Sequence, residues 1–175
     1  MRCYYIGRIN LFGGENMNQK KLAVWLKIIV AGIGLCGAVL YAFVIPHLGN
    51  NVARDNPEYA FCYWPWLVFL WATALPCYAA LVLLWRIAAD IGRDRSFSAQ
   101  NGKRLRVISL LAAGDCLVFF LGNLVFLFLD MSHPGVLLFS LAVIFAGIAV
   151  AVVSAVLSHL VAKAGDLQEQ SDLTI

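Results

Sequence analysis

Four stretches of this chain, Leu22–Ile45, Tyr63–Ile87, Val107–Leu129 and Gly135–Leu160, each run for more than twenty residues with almost no charge. A helix needs about 20 apolar residues to cross a ~30 Å hydrocarbon core. Each stretch is long enough, and only one solvent suits all four. Hydrophobic residues make up 62% of the chain and charged ones 13%, whereas soluble domains run at about 45–50% and 25%. A chain of 175 residues cannot bury that much apolar surface against itself. The expected fold is all-α: an integral membrane four-transmembrane-helix bundle.

Breakers and charges set the expected limits. Pro46 and Gly49-Asn50-Asn51 are expected to end the first span. Pro65 falls in the first turn of the second, where a missing N–H is harmless. Pro76 lies near that span's middle, a position that kinks helices. Asp130-Met131-Ser132-His133-Pro134-Gly135 leaves room only for a tight turn, so spans three and four form an antiparallel hairpin.

Twelve of the thirteen lysines and arginines fall on one side of this plan, and only Arg54 falls on the other. The positive-inside rule then places both termini in the cytoplasm, N-in and C-in. Tyr59, Phe61, Tyr63, Trp64 and Trp66 gather at one end of span two, and Trp85 lies at the other, as an interfacial aromatic belt does. Below, the two faces are called the basic end and the aromatic end.

Hydrophobic order begins at Leu22, and residues 1–16 show no periodicity. Gly13-Gly14-Glu15-Asn16 can be encoded by purine-rich codons resembling a bacterial ribosome-binding site, directly before Met17. Residues 1–19 are therefore read as a leader that the mature protein need not carry, with Met17 as the start. Residues 20–162 form the membrane domain and 163–175 a cytoplasmic tail.

Chemistry-bearing residues are few. The five cysteines are scattered without C-x-x-C spacing, which speaks against a disulfide framework or a zinc site. His47 and His133, near Asp55, Glu58 and Asp130, could form a pH-sensitive or metal-binding pair, although interfacial histidines are more often simply solvated. No paired carboxylates, HExxH, Cys/His dyad or glycine-rich phosphate loop occurs, so neither an enzyme nor a cofactor is expected.

The polar exception inside the spans is Asp115, about 13 Å deeper than Arg106 along span three. A carboxylate there must be neutral, paired or beside water. Asn123 continues its face, and depth counting offers Ser154, Tyr78 and Lys27 as partners. Two readings stay open: a proton or ligand site, as in a small transporter or channel subunit, or a hydrogen-bonded packing residue. Gly34, Ala38 and Ala42 on span one, and Gly147, Ala151 and Ala155 on span four, repeat every four residues. Such faces serve packing within one chain or a homodimer contact.

The basic-end loop is the most polar segment. Ser98 has the place of an N-cap restarting a helix. Lys103, Arg104 and Arg106 are expected to hold anionic lipid headgroups. The cluster is short, juxtamembrane and without interleaved aromatics, so direct nucleic-acid binding is not expected.

Two motifs carry a resemblance. Ser96-Phe97-Ser98-Ala99-Gln100-Asn101-Gly102-Lys103-Arg104-Leu105 resembles the pF(S/T)xxNxxxL segment of small bacterial membrane proteins grouped as domain of unknown function 2975. The close Leu167-x-Glu169-x-x-Asp172-Leu173-Thr174-Ile175 is similar to that family's LxxENDLTI terminus, with Ser171 and Gln170 as departures. The resemblance spans about Lys20 to Ile175. It implies four helices in a bacterial plasma membrane, no established biochemistry, and a gene arrangement typical of membrane partners of a small helix-turn-helix regulator. Phe97, Asn101, Glu169, Asp172, Leu173 and Ile175 would then form the cytoplasmic docking surface.

The start assignment is checked by mass spectrometry of the native N-terminus: a chain beginning at Met17 is expected, and a peptide from residues 1–16 would refute it.

Overall fold

A computed structural model describes residues 11–93, 95–132 and 134–172. Helix α1 spans Leu11–Val39, α2 Ile45–Asp55, α3 Tyr63–Ile91, α4 Ala99–Phe128 and α5 Pro134–Asp172. A π-helical segment, Leu40–Val44, joins α1 to α2, and a 3₁₀ turn, Pro57–Cys62, leads into α3. Four continuous helical stretches are long and apolar enough to cross a membrane: Gln19–Asp55, Ala60–Ile91, Ala99–Phe128 and Pro134–Leu167. Large apolar side chains face outward along them; Phe128 is 79% exposed, Phe145 76% and Leu75 72%. That is stable only if hydrocarbon is the surrounding solvent.

Pro46 does not end the first span as expected. The helix passes through it and runs on to Asp55. A proline clashes with the carbonyl of residue i−4 and has no N–H to give. The π segment resolves the clash by inserting one residue of register, seen where Ile45 N–H bonds the Leu40 carbonyl. In that register the carbonyl facing Pro46 is that of Tyr41. Its missing donor is replaced from α3, because Trp71 Nε1 donates to Tyr41 O at 3.1 Å. Tyr63 Oη donates to the Pro46 carbonyl at 3.4 Å. The aromatic belt is thus divided: Phe61 and Trp64 face outward, while Tyr63 and Trp66 hold backbone.

The hairpin between α4 and α5 is tight, as its sequence requires. Asp130 takes φ 55°, the left-handed region that few residues other than glycine adopt. Met131 N–H bonds Phe126 O at 2.9 Å and Asp130 N–H bonds Leu127 O at 3.2 Å, the paired bonds of a Schellman end. Trp66 Nε1 then donates to Met131 O at 3.0 Å and fastens the hairpin to α3. His133 lies outside the described residues.

Helices α4 and α5 make the most extensive pairing. Gly102, Ser109 and Cys116 lie seven residues apart, and so do Ser158, Ala151 and Ile144 opposite them. Each level carries a contact: Ser158 Oγ to Gly102 O at 2.8 Å, Ser109 Oγ to Ala151 O at 2.8 Å, and Cys116 Sγ to Ile144 O at 3.7 Å. A seven-residue period keeps one seam facing its partner along both helices. Gly147 fits directly against Cys116 Sγ, where a Cβ would collide. At the neighbouring interface Gly122 meets the Phe69 ring with no room for a Cβ.

Close backbone approach runs from α1 to α3, from α3 to α4 and from α4 to α5; among the described residues α1 approaches neither α4 nor α5. The closest packing thus follows chain order, while side chains of the first and fourth spans share a crevice near the aromatic end. The small-residue faces are also only partly used. Gly34, Gly147 and Ala151 face neighbours, but Ala38, Ala42 and Ala155 are exposed. A four-residue repeat drifts by about 40° per step on a 3.6-residue helix, so such a stripe rotates off the interface.

Trp71→Phe removes the donor to Tyr41 O where no water can replace it. It should lower stability by about 0.5–2 kcal/mol, read from unfolding in lipid or detergent. Trp64→Phe, on an exposed side chain, should change it by less than about 0.5 kcal/mol.

Candidate functional site

Two polar places stand out, one at the basic end and one halfway along the helices. At the basic end, α3 finishes beside α1: a Cβ on Gly92 would lie 3.1 Å from Ala23 Cβ. The chain then folds back on Asp90, whose carbonyl accepts N–H bonds from Arg93 and Arg95, both at 3.0 Å. Ser98 caps α4 as expected, accepting from Asn101 N–H at 3.2 Å.

Asn101 is the centre of this turn. It is 1% exposed. Its Nδ2 donates to Arg95 O at 3.0 Å and Ser96 O at 3.4 Å, and its Oδ1 accepts from Arg104 at 2.9 Å. Arg104 also forms an ion pair with Asp90. Two sequence expectations are corrected here. Asn101 spends its polar atoms on its own loop and presents none to a partner. Arg104 turns inward toward Asp90, leaving Lys103 and Arg106 as the exposed cations of the cluster.

Phe97 is different: it is 57% exposed. Its backbone rests on α5, since a Cβ on Gly165 would lie 3.2 Å from Phe97 O. The helix carrying Gly165 extends to Asp172, so the segment read as a tail is largely a continuation of the span. At ~1.5 Å per residue, its 39 residues reach about 58 Å, well beyond a ~30 Å core. Leu167, two residues past Gly165, is 58% exposed. The Glu169 and Asp172 side chains, together with Leu173 and Ile175, lie outside the described residues.

Halfway along α4, Asp115 meets α3 rather than the partners expected. Cys77 Sγ donates to Asp115 Oδ2 at 3.6 Å. Tyr41 of the π segment faces the same group, among Thr73, Cys77, Tyr78 and Asp115. Of the expected partners, Tyr78 Oη donates instead to Gly34 O at 3.1 Å. Lys27 lies over the Trp85 ring, 5.8 Å from its centroid, at the basic end. Ser154 is buried in the α4–α5 seam, but between the level of Ser109–Ala151 and that of Gly102–Ser158. That is at least a turn and a half from Asp115, because the hairpin and not the count from the interface sets the register.

Asn123 is 4% exposed, and its Nδ2 donates back to Phe119 O at 2.8 Å. Phe119 stands between it and Asp115, buried and stacked on Phe69 at 5.6 Å. The stretch joining the two polar residues is therefore aromatic. Cys77 and Tyr41 escaped the sequence reading because a cysteine or tyrosine in an apolar run looks like packing. The signals that could have found them were Pro46 and Pro76, prolines within five residues of each.

Near the aromatic end, Leu48, Val52, Leu67, Leu70, Val136 and Phe139 line part of an apolar crevice of about 250 Å³. Among the described residues no three histidines, cysteines or carboxylates come together as a metal site.

The family described as "Protein of unknown function (DUF2975)" matches residues 47–175. An uncharacterized membrane protein of Bacillus subtilis (strain 168), YoaS, is 29% identical over 154 residues, covering 87% of this chain and 96% of the relative. No solved structure matches.

The buried turn at Asn101 gives a direct test. Asn101→Ala leaves the Arg95 and Ser96 carbonyls and the Arg104 guanidinium short of partners. It should cost about 1–3 kcal/mol in unfolding measurements, whereas Lys103→Ala should cost under about 0.5 kcal/mol.

Proposed function

The chain belongs to the DUF2975 family of proteins of unknown function, and we propose that within it this membrane protein is a regulatory partner that docks a protein at its basic end. The observation that carries the reading is exposed Phe97, whose backbone rests on the α5 extension at Gly165. Large apolar side chains that project beyond the hydrocarbon gain nothing from lipid, and burying each against a partner contributes about 1.5–3 kcal/mol. The Asn101–Arg104–Asp90 turn keeps Phe97 in place, so little ordering is needed on binding.

The positive-inside rule supports placing this end in the cytoplasm, with both termini there and the protein in a bacterial plasma membrane. The partner fitting the family resemblance is a small helix-turn-helix regulator. Docking would hold such a regulator at the membrane and away from its operator.

The experiment is co-purification of the full chain, in detergent, with the regulator encoded beside it. Phe97→Ala and Leu167→Asp should each reduce capture at least tenfold, and deletion of residues 168–175 should test the terminal motif. Capture unchanged in all three would refute the docking surface.

A further inference from the structure

The group around Asp115 is independent of the docking surface. It is formed beside a π segment of one helix and a proline of another. Helix α1 gives way to the π segment at Leu40–Val44, and α3 carries Pro76 inside it, directly before Cys77. Single-turn π segments are frequent at functional sites. Here Tyr41 has both ends engaged. Its carbonyl accepts from Trp71, and its phenol hydrogen-bonds Thr73.

Asp115 lies sixteen residues after the first residue of α4 and thirteen before the last. At 1.5 Å per residue it is roughly 20 Å from the nearer end. Among the described residues no lysine, arginine or histidine pairs with it; the ion pair present is Arg104–Asp90. Its titratable neighbours are Cys77 from α3, Cys116 on its own helix and, at longer electrostatic range, Tyr41 from the π segment. Helix α5 brings none, because residues 134–158 contain no titratable side chain. Every neighbour is neutral at ordinary pH, so nothing in the protein compensates a carboxylate charge there. A bare charge at such depth costs at least about 2.5 kcal/mol.

We propose that Asp115, with Cys77, forms a proton-binding site in the middle of the membrane. The carboxyl is the group that gains and loses the proton. The Cys77 thiol is a positioning group: it donates to Oδ2 and so favours the ionised form. The thiol–carboxyl contact joins α3 to α4. Proton uptake would therefore act on the packing between those two helices. The aromatic barrier of Phe119 and Phe69 on the Asn123 side makes this a site of binding rather than a conduit.

The test is labelling of the full chain in liposomes with dicyclohexylcarbodiimide, which attacks the protonated carboxyl, followed by intact-mass measurement across a pH series. One adduct is expected, lost in Asp115→Asn, declining as pH rises, and unchanged by sodium or potassium. Cys77→Ala removes a donor to the ionised form and should carry the decline about one pH unit higher, a tenfold change in proton affinity. Elution of both variants as wild type on size exclusion checks that they are folded; the wild-type pH series stands without them. Absence of the Asp115 adduct at low pH, or its suppression by sodium, would overturn the proposal. An unchanged profile in folded Cys77→Ala would overturn the part assigned to the thiol.

Discussion

Hydrocarbon offers no hydrogen bonds, so a chain inside it must satisfy every backbone polar group from its own atoms. Each irregularity of this fold follows from that requirement. Pro46 withholds one N–H, and the helix survives because a π turn moves the deficit onto the Tyr41 carbonyl, where the Trp71 indole supplies a donor. Trp66 does the same for the Met131 carbonyl at the hairpin, and Tyr63 adds a donor to the Pro46 carbonyl. The long polar side chains near the aromatic end are thus partly structural. Their ring bodies remain apolar while one atom of each reaches backbone.

The same absence of water changes what holds helices together. No hydrophobic gain draws one apolar helix to another when both already lie in lipid, so close fit and hydrogen bonding must do it. The α4–α5 seam meets that condition at three successive levels. A glycine, serine or cysteine on α4 faces a serine, alanine or isoleucine on α5, with a bond at each. Helix α1 has no comparable seam. Its contacts with α3 are fewer and include those at Ala23, Gly34 and Gly37. The closest packing therefore lies at the α4–α5 side.

Sequence revealed what depends on one helix at a time. The four spans, the hairpin and the Ser98 cap all follow from local composition and from residues a few positions apart. What it missed depends on how helices sit against one another. Depth counted from the basic residues put Ser154 beside Asp115, because equal counts assume equal starting levels and straight, untilted helices. The contacts of Ser109 with Ala151 and of Cys116 with Ile144 show a different register. The glycine and alanine stripes were visible, but their drift around the helix was not weighed. Pro46 was read as a breaker because proline ends most helices, and no local signal announced the π turn that lets this one continue. Phe97 and Asn101 belong to one motif, yet one points out and the other in, a distinction that spacing alone does not carry.

That division inside one motif bears on how its parts are interpreted. Asn101 is fixed by geometry: its side chain reaches two carbonyls upstream and one arginine downstream, and no other residue type supplies two donors and an acceptor at that length. Its presence in the sequence is explained by the loop. Phe97 receives no such explanation, since 57% of it is left outside the fold. Gly165 suits Phe97, because the loop backbone approaches α5 so closely that a Cβ there would lie only 3.2 Å from Phe97 O. The loop is thus built to be rigid and to lie against the helix extension, while its aromatic side chain is left uncovered. A fold that immobilises the backbone under an exposed aromatic has met the entropic cost of presenting it before any partner arrives.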